Sequence, residues 1–341
     1  MIDLRSDTVT KPSQAMRKAM VNAEVGDDVY KEDPTVNRLQ KYCSELFNKE
    51  DALFVPSGVM GNQLCLNAHT QPGDEVICDK NSHIFQYESG SPAMLSGLSL
   101  NLINGKNGTI TPEQVEPLIR PTSAYYMPQT KVIEVENTHN VAGGVVHPIK
   151  NIKALKTLAD NYNLKMHLDG ARLWNASIAS GISVAEYSSY FDSVSVCLSK
   201  GLGAPVGSVI LGAKGFIEET FRKRKSWGGG MRQIGILAAA GLFAIENNFE
   251  DLAEDHKKAK LLAEHIAKLP NVEIDLSLVQ TNIIMFEPKY IAVEDVLKKC
   301  KEKGLLLSLG GVGVIRAVTH LDSTFKDIES ANQILSEVFS V

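Results

Sequence analysis

The chain has 341 residues, 44% of them hydrophobic and 22% charged, with a formal net charge of −5. Those proportions exclude global disorder. The acidic balance excludes a protein whose main work is gripping nucleic-acid phosphates. At about 150 residues per domain, the length predicts two domains, or one large domain with an appendage.

In chain order, the spacing of apolar residues predicts a helix over 12–23, with Pro12 in its first turn and Met16, Ala19 and Met20 on one face. A second helix follows over 35–47, through Val36, Leu39, Cys43 and Leu46. A short apolar run, 52–56, ends in Ser57-Gly58-Val59-Met60-Gly61, and a helical pattern occupies 62–68. Strands are predicted over 75–78, 99–103, 131–136, 165–169 and 193–198, with a helix over 149–162 between the third and fourth. The nearly apolar stretch 234–245 is far short of the roughly 20 residues needed to span a bilayer, and it predicts a buried helix. After it the texture changes. A charged helix over 248–269 precedes a strand (283–286), a helix (293–303), a strand (314–319) and a last helix (326–339). The expected organisation is an N-terminal arm over 1–15, a large domain over 16–248 and a small α/β domain over 249–341. Strands alternating with helices predict an α/β fold whose mostly parallel sheet is flanked by helices.

Five cysteines, Cys43, Cys65, Cys78, Cys197 and Cys300, are scattered without CxxC spacing and read as reduced thiols of a cytoplasmic protein. The first residues carry charges where a signal peptide needs an apolar stretch. No membrane or nucleic-acid partner is expected.

Four predicted strand ends carry polar residues: Ser57-Gly58, the His139 segment, Asp169 and Lys200. Ligands of open α/β sheets bind at the carboxyl ends of strands, so their convergence says more than any one of them. Lys200 follows an apolar strand and precedes Gly201, Gly203 and Gly207. A lysine so placed can be desolvated and form Schiff bases, whereas most lysines are solvated surface charges. Asp169 can cap a helix, or it can hold a protonated ring nitrogen. Ser57 to Gly61 joins a strand to a helix and offers backbone N–H groups to an anion. Neither this turn nor the glycines after Lys200 match the GxxxxGK[ST] or GxGxxG fingerprints, so a nucleotide or nicotinamide reading lacks its phosphate loop. An anion-binding turn, then Asp169, then Lys200 describe a site for pyridoxal phosphate.

The segments Asp3-Leu-Arg-Ser-Asp-Thr-Val-Thr, Gly26-Asp-Asp-Val-Tyr, Glu136-Asn-Thr-His-Asn, His167-Leu-Asp-Gly-Ala-Arg, Leu198-Ser-Lys-Gly-Leu and Gly228-Gly-Gly-Met-Arg-Gln resemble the L-threonine aldolases. These are pyridoxal 5'-phosphate enzymes of the aspartate-aminotransferase-like fold, fold type I, and the resemblance runs over essentially the whole chain. It implies retro-aldol cleavage of L-threonine or L-allo-threonine to glycine and acetaldehyde. It implies that Lys200 holds the cofactor, Asp169 its ring nitrogen, and the backbone of Gly58 and Val59 its phosphate. His83 would stack on the ring, and Arg232 would reach the phosphate in the neighbouring subunit of a homo-oligomer, a dimer of dimers. Ser6, Arg172 and Arg316 would clamp the substrate carboxylate, Arg172 also lying against the cofactor. His139 would contact the β-hydroxyl, and Lys225 would lie near the site. The base for the β-hydroxyl proton stays open between His139 and His83. Trp227 beside the glycine run and the extended loop 141–146 depart from the family's pattern. The nearest competing activities are those of a β-eliminating lyase or an aminotransferase.

Overall fold

A computed structural model describes residues 1–340. Thirteen strands are numbered in chain order. β1 (Ile2–Asp3) opens the chain. β2 (Asp51–Val55), β3 (Glu75–Asp79), β4 (Ser99–Ile103), β5 (Thr130–Glu136), β6 (Lys165–Asp169), β7 (Ser193–Cys197) and β8 (Ser208–Gly212) form the main sheet. β9 (Val272–Glu273), β10 (Ile283–Pro288), β11 (Leu305–Leu306), β12 (Ser308–Gly311) and β13 (Val314–Val318) belong to the last third.

The main sheet has the order β2-β8-β7-β6-β5-β3-β4. β4, β3, β5, β6 and β7 pair in parallel; β8 runs antiparallel to both its neighbours. β3, β7 and β8 are buried along their whole length, as expected of strands covered by helices on both faces. The β5/β6 and β6/β7 registers set Glu136 opposite Asp169 and Asp169 opposite Ser195, so polar residues line one end of the sheet.

The helix expected over 62–68 begins earlier, at Gly58, and runs to His69. The helix expected over 248–269 is Leu252–Ile266, separated by a short break from the apolar helix Gly235–Asn248. Several elements fall outside the predicted segments, among them the helices Leu173–Ser180 and Val184–Ser189, and two more show why. One is β8, buried at every position and so without alternation. The other is the helix Lys214–Ser226, whose exposed face is so charged that only Ile217, Thr220 and Arg224 are buried.

The largest core joins the main sheet to its helices through residues such as Phe54, Ile133, Leu168, Trp174, Val194 and Ile245. A second core gathers Leu262, Ile284, Phe286, Ile315 and Leu335 beneath the antiparallel sheet β12-β13-β10-β9. Leu252 belongs to the first core and Ala259 to the second, so one helix serves both. The N-terminal segment sides with the second core at its start: β1 pairs with β11, and Leu4 is buried there. No helix among the described residues is long and apolar enough to cross a membrane.

Candidate active site

A cavity of about 270 Å³ opens at the carboxyl ends of the parallel strands. Ser6 and Thr8 of the N-terminal segment, His83 and Tyr87 after β3, and Arg172 after β6 line one part of it, with Lys200 after β7. Asn140 and Val141 after β5, with Met285, Leu309 and Arg316 of the second sheet, close the rest. The β10/β13 register pairs Met285 with Arg316 and so brings both to the mouth.

Lys200 sits in the turn joining β7 to β8, held by the Gly203 N–H to its carbonyl at 2.9 Å. Beside it the helix Gly58–His69 lies close against β7. A Cβ on Gly58 would come within 2.9 Å of Cys197 Sγ, and one on Gly61 within 2.5 Å of Ser195 Oγ. Only glycine permits that approach. Ser57 caps the helix, its Oγ accepting from Met60 N at 3.2 Å and its carbonyl from Gly61 N at 3.0 Å. The first-turn N–H groups of Gly58 and Val59 lie ahead of any intrahelical acceptor and are available to an anion.

Asp169 is buried at the end of β6. Its Oδ1 accepts from Ala171 N at 3.0 Å and its Oδ2 from Asn62 Nδ2 at 2.7 Å. Burial pushes this carboxyl up, but the charges of His83 and Lys200 and the Ala171 N–H outweigh burial and hold it below its ordinary value. A helix N-terminus, an ionised buried carboxylate and a lysine in the cavity fit the three handles of pyridoxal phosphate: phosphate, ring nitrogen and aldehyde.

Arg172 meets Asp7 in a bidentate pair, with Nε and Nη2 each 2.7 Å from a carboxylate oxygen. Burial would raise the Asp7 carboxyl; Arg172, with Lys200 and Arg316 beyond it, holds it well below the usual carboxylate range. The Arg172 fork expected on the substrate carboxylate is therefore already engaged, and only Nη1 turns towards the cavity, 3.1 Å from Asn140 Oδ1. The same oxygen accepts from Arg316 Nη2 at 3.0 Å. Arg316 Nε is buried without a partner. Burial and the neighbouring Arg172 pull its guanidinium down to about 10. Arg316 is thus the arginine with donors to spare.

The two candidate histidines part company. His83 lines the cavity with its side chain 27% exposed, and Nδ1 lies 2.9 Å from Glu88 Oε1. His139 is 3% exposed and lies outside the cavity walls, Nε2 3.3 Å from Asp79 Oδ1 and Nδ1 accepting from Ala142 N at 3.2 Å. The residue expected to contact the β-hydroxyl thus stands off the cavity wall, its ring held towards Asp79 and the 141–146 loop. Asn140, the next residue, faces the cavity instead. Ser6 is at the wall, its Oγ accepting from Thr8 N. Arg232 and Lys225 are not on this chain's cavity. Arg232 is half exposed and paired with Asp27 at 2.8 Å; Lys225 ends the helix Lys214–Ser226. Trp227 packs beside Leu53, Val55 and Ile210 on the outer side of the sheet edge. In the loop 141–146, Val141 reaches the cavity while the Gly144 carbonyl accepts from Thr281 Oγ1.

Asp7, Asn62, Glu88, Glu136 and Asn140 are site residues to which sequence reasoning assigned no role. Asp7, Glu136 and Asn140 stand inside the quoted motifs. Glu88, five residues after His83, has no pattern to mark it.

A seven-stranded, mostly parallel sheet carrying a carboxylate at the end of one strand and a lysine just past the next defines an enzyme of fold type I. Comparison with known proteins agrees. The structure superposes on a threonine aldolase from Leishmania major with a TM-score of 0.84, covering 99% of this chain and 100% of that one at 17% identity, which establishes the shared fold. The sequence model of the family described as beta-eliminating lyase matches residues 3–289. Low-specificity L-threonine aldolase 1 of Arabidopsis thaliana is 45% identical, over 96% of this chain and 93% of its own length. The low specificity L-threonine aldolase of Escherichia coli is 41% identical over 94% of each chain. The chain belongs to the beta-eliminating lyase family, in the group of the low-specificity L-threonine aldolases.

Proposed function

We propose that this protein is a pyridoxal-phosphate-dependent aldolase that cleaves L-threonine, L-allo-threonine and related β-hydroxy-α-amino acids to glycine and an aldehyde. The observation that carries the reading is the cavity itself, in which Lys200, a pair of arginines joined by Asn140 and one half-buried histidine meet. When bound, the cofactor supplies an electron sink for the charge left on the α-carbon. Lys200 is its covalent tether. Asp169, ionised and buried, keeps the proton on its ring nitrogen. The N–H groups of Gly58 and Val59 hold its phosphate.

Arg316 takes the substrate carboxylate, helped by Arg172 Nη1 and by Ser6. A carboxylate held at two points cannot rotate, so the bond that aligns for cleavage is the one to the β-carbon. His83, through the ring nitrogen not engaged by Glu88, accepts the β-hydroxyl proton. Such general-base help is worth about 10²–10⁴-fold. Arg232 and Lys225 lie off this chain's own cavity, and in a homo-oligomer they would serve the neighbouring subunit's site, within a dimer of dimers. Mixing Lys200→Ala with Arg232→Ala subunits tests this, since hybrid dimers of a shared site regain one intact centre and those of an unshared site regain none.

Purified protein given threonine without a 2-oxo acid should release acetaldehyde and glycine in equal amounts. Formation of 2-oxobutanoate and ammonia would mean β-elimination instead, and dependence on a 2-oxo acid would mean transamination.

A further inference from the structure

Glu88 lies behind the cavity with its side chain fully buried. Each of its oxygens is held by an amide: Oε1 accepts from Asn62 Nδ2 at 2.8 Å, and Oε2 from Gln63 Nε2 at 2.6 Å. Both amides come from the second turn of the helix whose first turn forms the anion site. Oε1 also faces His83 Nδ1 at 2.9 Å. With one amide donor fixed on each of its oxygens, Glu88 meets His83 as an acceptor, so His83 Nδ1 must bring the hydrogen. Asn62 does more: the same Nδ2 that donates to Glu88 donates to Asp169 Oδ2 at 2.7 Å, and its Oδ1 lies 3.2 Å from His167 Nε2. Glu136 completes the support, its Oε2 accepting the backbone N–H of His83 at 2.8 Å.

We propose that Glu88 is a positioning residue for the aldol chemistry: it fixes His83 as the Nδ1–H tautomer, leaving Nε2 as the proton-accepting atom, and through Asn62 it shares one amide with Asp169. The inference rests on the aldolase reading for its chemistry but not for its geometry. A neutral imidazole has one donor and one acceptor nitrogen, so without Glu88 the hydrogen could sit on Nε2 and His83 would be no base towards the cavity. The groups facing His83 are Glu88, Asp169 from β6 and Glu136 from β5, all carboxylates. Burial opposes the imidazolium, but these three raise His83 above its ordinary value, while Lys200 faces Asp169 from the other side. The shared Asn62 amide means that a change of charge at Asp169 reaches Glu88 through one side chain.

The test is Glu88→Gln, which keeps the shape, removes the charge and sets an amide NH₂ against Asn62 or Gln63. The plateau kcat should fall by about 10²-fold as base catalysis is lost. The acid limb of kcat/KM should move about one unit lower, because His83 loses the negative charge that favours its protonated form. Two-bond ¹H–¹⁵N spectra of histidine-labelled enzyme, with His83 assigned through His83→Asn, should show Nδ1–H in the wild type and a shift towards Nε2–H in the variant. A residue with only a structural role would lower the melting temperature and leave limb and tautomer in place, and that result overturns the proposal. Glu88→Asp keeps the charge with a shorter reach and should retain the limb at its wild-type position with a reduced plateau. If Glu88→Gln does not fold, an Asp variant with unchanged plateau and tautomer overturns the proposal equally. Wild-type enzyme that yields no acetaldehyde would sink the aldolase reading, while a tautomer change in Glu88→Gln would still stand.

Discussion

The segments 79–91 and 136–147 each place a histidine among carboxylates at the same end of the sheet, and they do opposite things with it. In the first, Glu88 takes His83 by Nδ1 from behind and leaves the ring at the cavity wall. In the second, the chain turns back on itself, with His139 N donating to the Val145 carbonyl and Gly144 N to the His139 carbonyl, and the ring is folded under Asp79. Burial disfavours the charged form of both imidazoles, and neighbouring carboxylates raise both above the ordinary value. Electrostatics therefore does not separate them. Position does: His83 lines the cavity and His139 does not. The second segment contributes by another route, offering Asn140 to the two arginines while Glu136 accepts the Asn140 N–H at 2.7 Å.

The contrast has meaning only if the chemistry is centred on Lys200. Lys200→Ala should lower kcat by at least about 10⁴-fold with the fold intact. Borohydride reduction followed by peptide mass analysis should place the cofactor on Lys200, and a label on another lysine would remove the frame of the comparison.

The comparison itself breaks or holds on a pair of variants. His83→Asn should lower kcat by about 10²–10⁴-fold with little change in melting temperature. His139→Asn should leave kcat near wild type and cost about 1–3 kcal/mol of stability, since Asp79 loses a buried partner. Steady-state kinetics beside denaturant titration of both variants decides it; reversed effects would assign the base to His139.

The arginines sharpen the role of Asn140. Arg316→Lys leaves a point charge in place of a planar fork, so the carboxylate is held but turns, and kcat should fall by about 10²-fold rather than KM alone rising. Arg172→Lys should chiefly destabilise, because it breaks the bidentate pair with buried Asp7. Kinetics with threonine, together with α-proton exchange on glycine, measures the first effect, and melting curves the second.

The smallest effect concerns pH and the sealed segment alone. His147, at its end, is buried with both ring nitrogens unpartnered, and burial pulls it down to about 3. Its folded value lies below the ordinary 6.5, so the unfolded chain binds the proton more tightly between those values. Stability is present above pH 6.5 and is lost as pH falls towards 3, with a slope of at most about 1.4 kcal/mol per pH unit for one histidine. His147→Leu should flatten that loss, as seen in denaturant midpoints at pH 5 and pH 7. An unchanged difference between the two would point instead to His69, His167 and His256, each pulled down to about 4.

Much of this molecule is determined by local sequence. Hydrophobic periodicity marks most helices and strands, because an apolar face must be buried whatever lies opposite. Asp169 and Lys200 stand at strand ends by their place in the chain, and a parallel sheet brings strand ends together by construction. Other features depend on contacts that local sequence does not encode. β8 and the helix Lys214–Ser226 carry no clear period, one being buried all round and the other charged nearly all round. Nothing in the sequence places Asp7 on the fork of Arg172, 165 residues away. Nor does it tell that Glu88 closes on His83, or that Asp79 draws His139 aside while Asn140 takes the cavity. Which of two histidines can act is decided by which nitrogen each neighbour occupies and which side stays open, and only tertiary packing sets that.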